Sequence, residues 1–381
     1  MTRNTSLLNN ALLWTGGAIA VPVIMMGTFL APLGWGKAMT AAILGHLIGC
    51  IVLYLVTIIG ARTGRTTLEA AADVFGQAGS RLFASLNVIQ LVGWTSIMIF
   101  DAALAANGIS QLGVWAWALI TGALIFLWIF VGLEKVGPLT TISVILLAIL
   151  CLYLSVRIFA STPVEPAATT PISFGMALEI ATVDVLSWVP IMADYTRTAH
   201  RPVAAARVSV LALFLTSIWM FAIGIGAGIL TATSDFAEIL LHLGLGFVGL
   251  LIIIFSTVTT TFLDAWSSGV SATAITHRFT ARTIALAVTC VGTVAAMFLN
   301  MDSIIVFLTY IGAVFAPMAA VMIVGHTSTR WNLSVWLFGF LTYLVLPQLA
   351  LPIGSSLPVL LITAALAWAG KKIPQRNLQV T

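Results

Sequence analysis

Apolar runs follow one another from end to end of this chain, parted by short polar connections. Each is close to the ~20 residues that carry a helix across the hydrocarbon of a bilayer. Twelve spans are predicted, at 11–33, 38–60, 82–106, 113–133, 138–160, 173–195, 203–231, 246–275, 281–299, 303–325, 331–350 and 354–370. The longest polar connection, residues 61–81, is too short for a separate soluble domain. It predicts instead a short amphipathic helix over 66–77. The pattern is that of an all-α polytopic membrane protein.

Two spans interrupt their own pattern. In span 1, Gly16, Gly17 and Pro22 weaken the helix near its centre and free backbone carbonyls. Span 6 carries Glu179 toward its start, Asp184 near its middle and Pro190 beyond it. A carboxylate at that depth costs about 2.5 kcal/mol or more unless it faces a cavity or a partner. Interrupted helices at matching positions of two oppositely oriented halves predict an inverted repeat of five plus five helices. The first repeat is then residues 1–160 and the second 171–326, with 331–370 forming two additional helices.

That repeat pairs span 3 with span 8, and both carry an acid. In span 3, Gln90, Trp94 and Asp101 stand at spacings that put them on one helical face. Span 8 packs Ser256, Thr257, Thr259, Thr260 and Thr261 ahead of Asp264. A lone hydroxyl in a helix bonds back to a carbonyl one turn earlier. A cluster opposite the freed carbonyls of span 1 is read instead as a ligand set for a hard cation.

Composition sharpens the class. Of 381 residues, 60% are hydrophobic and 7% charged, against about 25% charged in soluble domains. With the N-terminus inside, all of the 16 Lys and Arg except Lys37 and Arg157 fall in the cytoplasmic segments. Basic residues are held on the cytoplasmic side during insertion, so both termini are expected there, in the inner membrane of a bacterium. The net charge of +4 is thus a topology signal, and no nucleic acid is implied. The apolar run after the N-terminus lacks a small-residue cleavage site and is read as a retained first helix. Cys50, Cys151 and Cys290 lie in apolar spans and are expected to pack. His46 is the only histidine inside a span and is read as a packing or hydrogen-bonding residue. No Walker motif, HExxH motif or metal-ligand spacing occurs, which disfavours ATP-driven transport and a membrane-embedded enzyme. A channel would need a continuous polar pore, whereas here the polar groups cluster at one depth.

Gln90-Leu-Val-Gly-Trp94, Val185-Leu-Ser187 followed by Ala193-Asp194-Tyr195, and Thr259-Thr260 resemble the nucleobase–cation symporter family. The cytosine permease branch, and within it hydroxymethylpyrimidine transporters, is the best match. The resemblance implies a LeuT-like fold with substrate held between spans 1, 3, 6 and 8. By motif, Trp94 is the tryptophan that stacks on a heterocycle, Gln90 its polar neighbour and Ser187 a substrate contact. Thr259 and Thr260 match the hydroxyl pair of a sodium site completed by the carbonyls of Gly17 and Ala20. Sodium is the expected coupling ion and a proton the alternative; no organic cofactor or obligatory protein partner is implied.

Two departures bear on the cargo. Asp184 stands where cytosine permeases have a small residue, and Ser256 where they place an asparagine. A 4-aminopyrimidine offers an N–H donor beside a ring acceptor, an edge that a carboxyl can read. The expected cargo is therefore a hydroxymethylpyrimidine-like thiamin precursor or a cytosine-like base, with Asp184 and Asp264 in its site. Purines and hydantoins are the nearest alternatives.

Overall fold

The structure is a computed structural model that describes residues 5–131, 133–161, 171–233, 236–273, 275–276, 278–325 and 328–371. Arg3, Lys372, Arg376 and the connection 162–170 lie outside the described residues. The described chain is helical, with one isolated bridge between Thr5 and Ala199.

Span 1 is two helices, α1 (Leu7–Ala18) and α2 (Val21–Leu30), bent by 56°. Span 2 is α3 (Trp35–Thr63), and α4 (Thr67–Ile109) contains span 3. α5 (Val114–Val131) and α6 (Leu133–Phe159) are spans 4 and 5. Span 6 is α7 (Phe174–Leu186), a run of turns, and the short α8 (Met192–Thr196). α9 (Pro202–Thr231) is span 7, and α10 (Phe236–His242) is a short helix that the sequence pattern did not predict. α11 (Gly246–Ala272), α12 (Ala281–Ala296), α13 (Met301–Val324), α14 (Thr329–Val345) and α15 (Ser356–Gly370) are spans 8 to 12.

Among the described residues, seven helices are long and apolar enough to cross a membrane, or eight with the bent pair counted as one span. The other expected spans are shorter or broken: the described apolar part of α6 (Val144–Phe159), α7, α12 and α15. The amphipathic segment expected over 66–77 is the first part of α4. Thr66 and Glu69 cap it reciprocally, and Gly76 (φ 69°) kinks it away from span 3.

Both interruptions obey one rule. A proline ring clashes with the carbonyl four residues back and supplies no N–H. Pro22 stands four residues after Ala18, the last residue of α1, and Pro190 four after Leu186, the last of α7. Gly16 and Gly17, expected to weaken span 1, are themselves helical. The break falls at Ile19 and Ala20, and the Ala20 N–H turns back to the Ala18 carbonyl at 3.0 Å.

Two helix groups result, each with its own core. α4, α5, α11 and α12 share one, built on Ile99, Phe100, Ile125, Phe262 and Val288. α1, α2, α3, α7 and α9 pack around Met25, Leu53, Leu186 and Phe221 in the other. α13 touches α7, α3 and α4, and carries α14 and α15 on its outer side.

Candidate functional site

Between the two groups lies a cavity at the level of both breaks. Gly17, Ala20, Pro22 and Val23 line it from span 1, and Asp184, Ser187, Trp188 and Ile191 from span 6. α4 contributes Leu91, Trp94 and Met98, and α11 contributes Asp264. Sequence reasoning had pointed to Trp94, Asp184, Ser187, Asp264, Gly17 and Ala20, and they meet here.

Trp94 packs edge-to-face on Phe307 of α13, with centroids 5.4 Å apart, which fixes its ring. The Ser187 hydroxyl donates to the Asp184 carbonyl at 2.6 Å, so toward the cavity it offers lone pairs. Gln90 does not line the cavity. Its amide nitrogen donates to the Ser187 carbonyl (2.8 Å) and to Asn87 (2.9 Å), and Asn87 donates to Ser271 of α11 (2.7 Å). Gln90 thus ties α4 and α11 to the break in span 6. Asp101, read as sharing the face of Trp94, is buried away from the cavity wall, and among the described residues neither of its oxygens has a hydrogen-bond partner.

The span 8 hydroxyls are arranged differently from the ligand cluster expected. Thr260 donates to the Ser256 carbonyl (2.9 Å), one turn earlier on its own helix, and Thr261 to the Met98 sulfur (3.3 Å). The Thr259 side chain lies outside the described residues. Ser256 is buried but does not line the cavity. α11 packs chiefly on α4 and α12. Hydroxyl and carbonyl oxygens are the right donors for sodium.

One polar neighbour of Asp184 was missed. His46 of α3 is fully buried, and its Nε2 lies 3.4 Å from Asp184 Oδ2. Its Nδ1 is 2.8 Å from the Ala42 carbonyl. The approach depends on Gly45 and Gly49, which flank His46. A Cβ on Gly45 would sit 2.6 Å from that of Ala181, and one on Gly49 2.6 Å from that of Val185. That Gly-x-x-x-Gly spacing was the signal available in the sequence.

Glu179, higher on α7, borders a second cavity of about 470 Å³. Its carboxylate accepts from the Ser355 and Ser356 amides (2.7 and 2.8 Å), from the Ser356 hydroxyl (2.6 Å) and from Tyr343.

Comparison with known proteins agrees with this architecture. The profile of a family described as permease for cytosine/purines, uracil, thiamine and allantoin matches residues 1–331. The chain belongs to this family of nucleobase–cation symporters. Cytosine permease of Escherichia coli K12 is 27% identical over 328 residues, which cover 84% of this chain and 75% of that one. A vitamin B6 transporter of Saccharomyces cerevisiae, TPN1, is 27% identical over 161 residues, covering 40% and 28%. Among solved structures, the nucleobase-cation-symport-1 transporter Mhp1, closed with bromovinylhydantoin bound, aligns with TM-score 0.77 at 17% identity, over 97% of this chain and 92% of its own. A Na⁺-coupled sialic acid symporter aligns with TM-score 0.60 at 13% identity, over 93% and 88%. These likenesses carry the LeuT-like fold, and the sequence relatives are permeases rather than enzymes.

Proposed function

We propose that this permease imports a small aminopyrimidine, of the hydroxymethylpyrimidine or cytosine type, by cation symport across twelve spans. Alternating access then proceeds around the cavity between the breaks. The observation that carries the reading is the pairing of Trp94 with Asp184 in one cavity. An aromatic face accepts many heterocycles, so discrimination falls to the polar edge. Ser187 and Asp264 lie within reach of the same ligand, and Ser256 and Gln90 act from behind it.

The division of helices into two groups supports the inverted repeat of residues 1–160 and 171–326. Spans 1 and 2 group with 6 and 7, and spans 3 and 4 with 8 and 9, as matched pairs of the repeat require. The basic-residue bias supports cytoplasmic termini in a bacterial inner membrane; a C-terminal reporter should be active on the cytoplasmic side only. For coupling we favour sodium, held by Gly17 and Ala20 carbonyls with Thr259 and Thr260. Thr259→Ala with Thr260→Ala should then abolish sodium-dependent binding in folded protein. Uptake indifferent to sodium but abolished by collapsing the pH gradient assigns coupling to a proton instead. A hydantoin cargo is the second reading, favoured by the fold match to the hydantoin-bound transporter. Thermal-shift screening of aminopyrimidines, purines and hydantoins, with and without sodium, separates the two.

A further inference from the structure

The aminopyrimidine reading gives Asp184 two oxygens to offer, but the structure leaves one. We infer that His46 is the positioning residue for substrate selectivity. It engages Asp184 Oδ2 through a single shared proton, so that Asp184 presents one accept-only oxygen, Oδ1, to the cavity. The inference rests on the cargo reading above and sharpens it, because the site then selects ligands by a donor N–H.

The argument is a count of protons. The Ala42 carbonyl can only accept, so Nδ1 of His46 carries a hydrogen. Nε2 is buried and has no hydrogen-bond partner; its nearest polar contact is Asp184 Oδ2 at 3.4 Å. That is longer than a charge-assisted bond of about 2.8 Å, but among the described residues the ring nitrogen has no hydrogen-bond partner. If neither atom held a proton, two lone pairs would confront each other away from water, which is costly. If both did, the pair would carry a net charge at membrane depth. One proton between them leaves the pair neutral. The ring cannot swing away, since Phe221 packs edge-on against it at 4.6 Å and Gly45 and Gly49 hold the helices together.

Other titratable groups near the pair are few. Cys50 stands one turn along α3, and Asp264 faces the same cavity from α11. On α7 itself Glu179 is engaged by Ser355, Ser356 and Tyr343. α8 carries Asp194 and Tyr195, and α3 and α9 carry the exposed pair Tyr54 and Arg207. α2 has none, and Tyr310 of α13 is exposed.

The test uses the purified full-length protein and two matched pairs of probes. These are cytosine against pyrimidin-2-one, and 4-amino-5-hydroxymethyl-2-methylpyrimidine against its analogue lacking the amino group. Wild type should prefer the amino member of at least one pair by about tenfold or more. His46→Phe should abolish that preference, whereas His46→Gln should keep it, because an amide N–H replaces the imidazole donor. Full discrimination in folded His46→Phe overturns the inference. If that variant does not fold, loss of the preference in folded His46→Gln overturns it. Wild type that binds none of the four probes overturns the cargo reading, and this inference with it.

Discussion

Glu179 and Asp184 sit on the same half-helix, five residues and about 7.5 Å of rise apart, yet they lead opposite lives. Glu179 accepts from two backbone amides and the Ser356 hydroxyl at the start of α15, and from the Tyr343 hydroxyl of α14. It is a helix cap supplied from another helix, meeting the N–H groups that every helix start leaves without intrahelical partners. Asp184 is 3% exposed, lines the central cavity, and is met by one imidazole at 3.4 Å. Membrane depth alone therefore does not mark an acid as functional. What separates the two is the number of donors that the protein itself supplies.

The largest effect should come from breaking the satisfied acid. Glu179→Ala strands several donors at about 1–3 kcal/mol each, and should lower the thermal unfolding midpoint steeply or prevent expression. Whatever folds should keep wild-type ligand selectivity, because neither Glu179 nor any α15 residue lines the central cavity. Asp184→Ala should do the reverse: near-native thermal stability with aminopyrimidine affinity weakened by about 1–3 kcal/mol. Asp184→Asn should cost less, since an amide still accepts. Wild-type affinity for every aminopyrimidine in folded Asp184→Ala would remove the substrate role. Trp94→Ala should weaken all ring ligands by a similar ~1–3 kcal/mol with little discrimination, as loss of stacking does; isothermal titration over a ligand series reads this directly. The smallest change is expected at the partly exposed pair Arg197–Glu69, 3.0 Å apart. Such pairs contribute about 0–1 kcal/mol, so Arg197→Gln should leave the unfolding midpoint nearly unmoved.

Much of this was legible in the sequence, for reasons that can be traced. Pro22 and Pro190 act locally, so both breaks could be read without a structure. Trp94, Asp184 and Asp264 were exceptional against apolar surroundings, and exception is a signal in a membrane helix. His46 was overlooked because its meaning comes from α7, which Gly45 and Gly49 bring close. The role of Glu179 was hidden more deeply, since nothing near it in the chain announces that Ser355 and Ser356 will arrive. Thr260 was legible by composition, and its hydroxyl donates to a carbonyl of its own helix, which leaves its lone pairs for an ion. Gln90, expected at the substrate, instead donates to the Ser187 carbonyl and does not line the cavity.

The lower halves of the broken spans have a mechanical consequence. Trp14 stands edge-on to Trp188 (5.2 Å) and Tyr195 (5.8 Å), and Thr5 bonds to the backbone of Thr198 and His200. The two half-helices therefore travel as one lever. Across the gap to the other helix group, that lever and the break above it are fastened by Tyr195 to Ser267, Gln90 to Ser187 and Arg197 to Glu69. At about 1 kcal/mol per bond, unfastening them costs roughly 2–3 kcal/mol, comparable to the gap that keeps a minor conformer at the per cent level. A cargo and ion that together prefer one posture by that margin would suffice to throw the lever, and their departure to let it fall back.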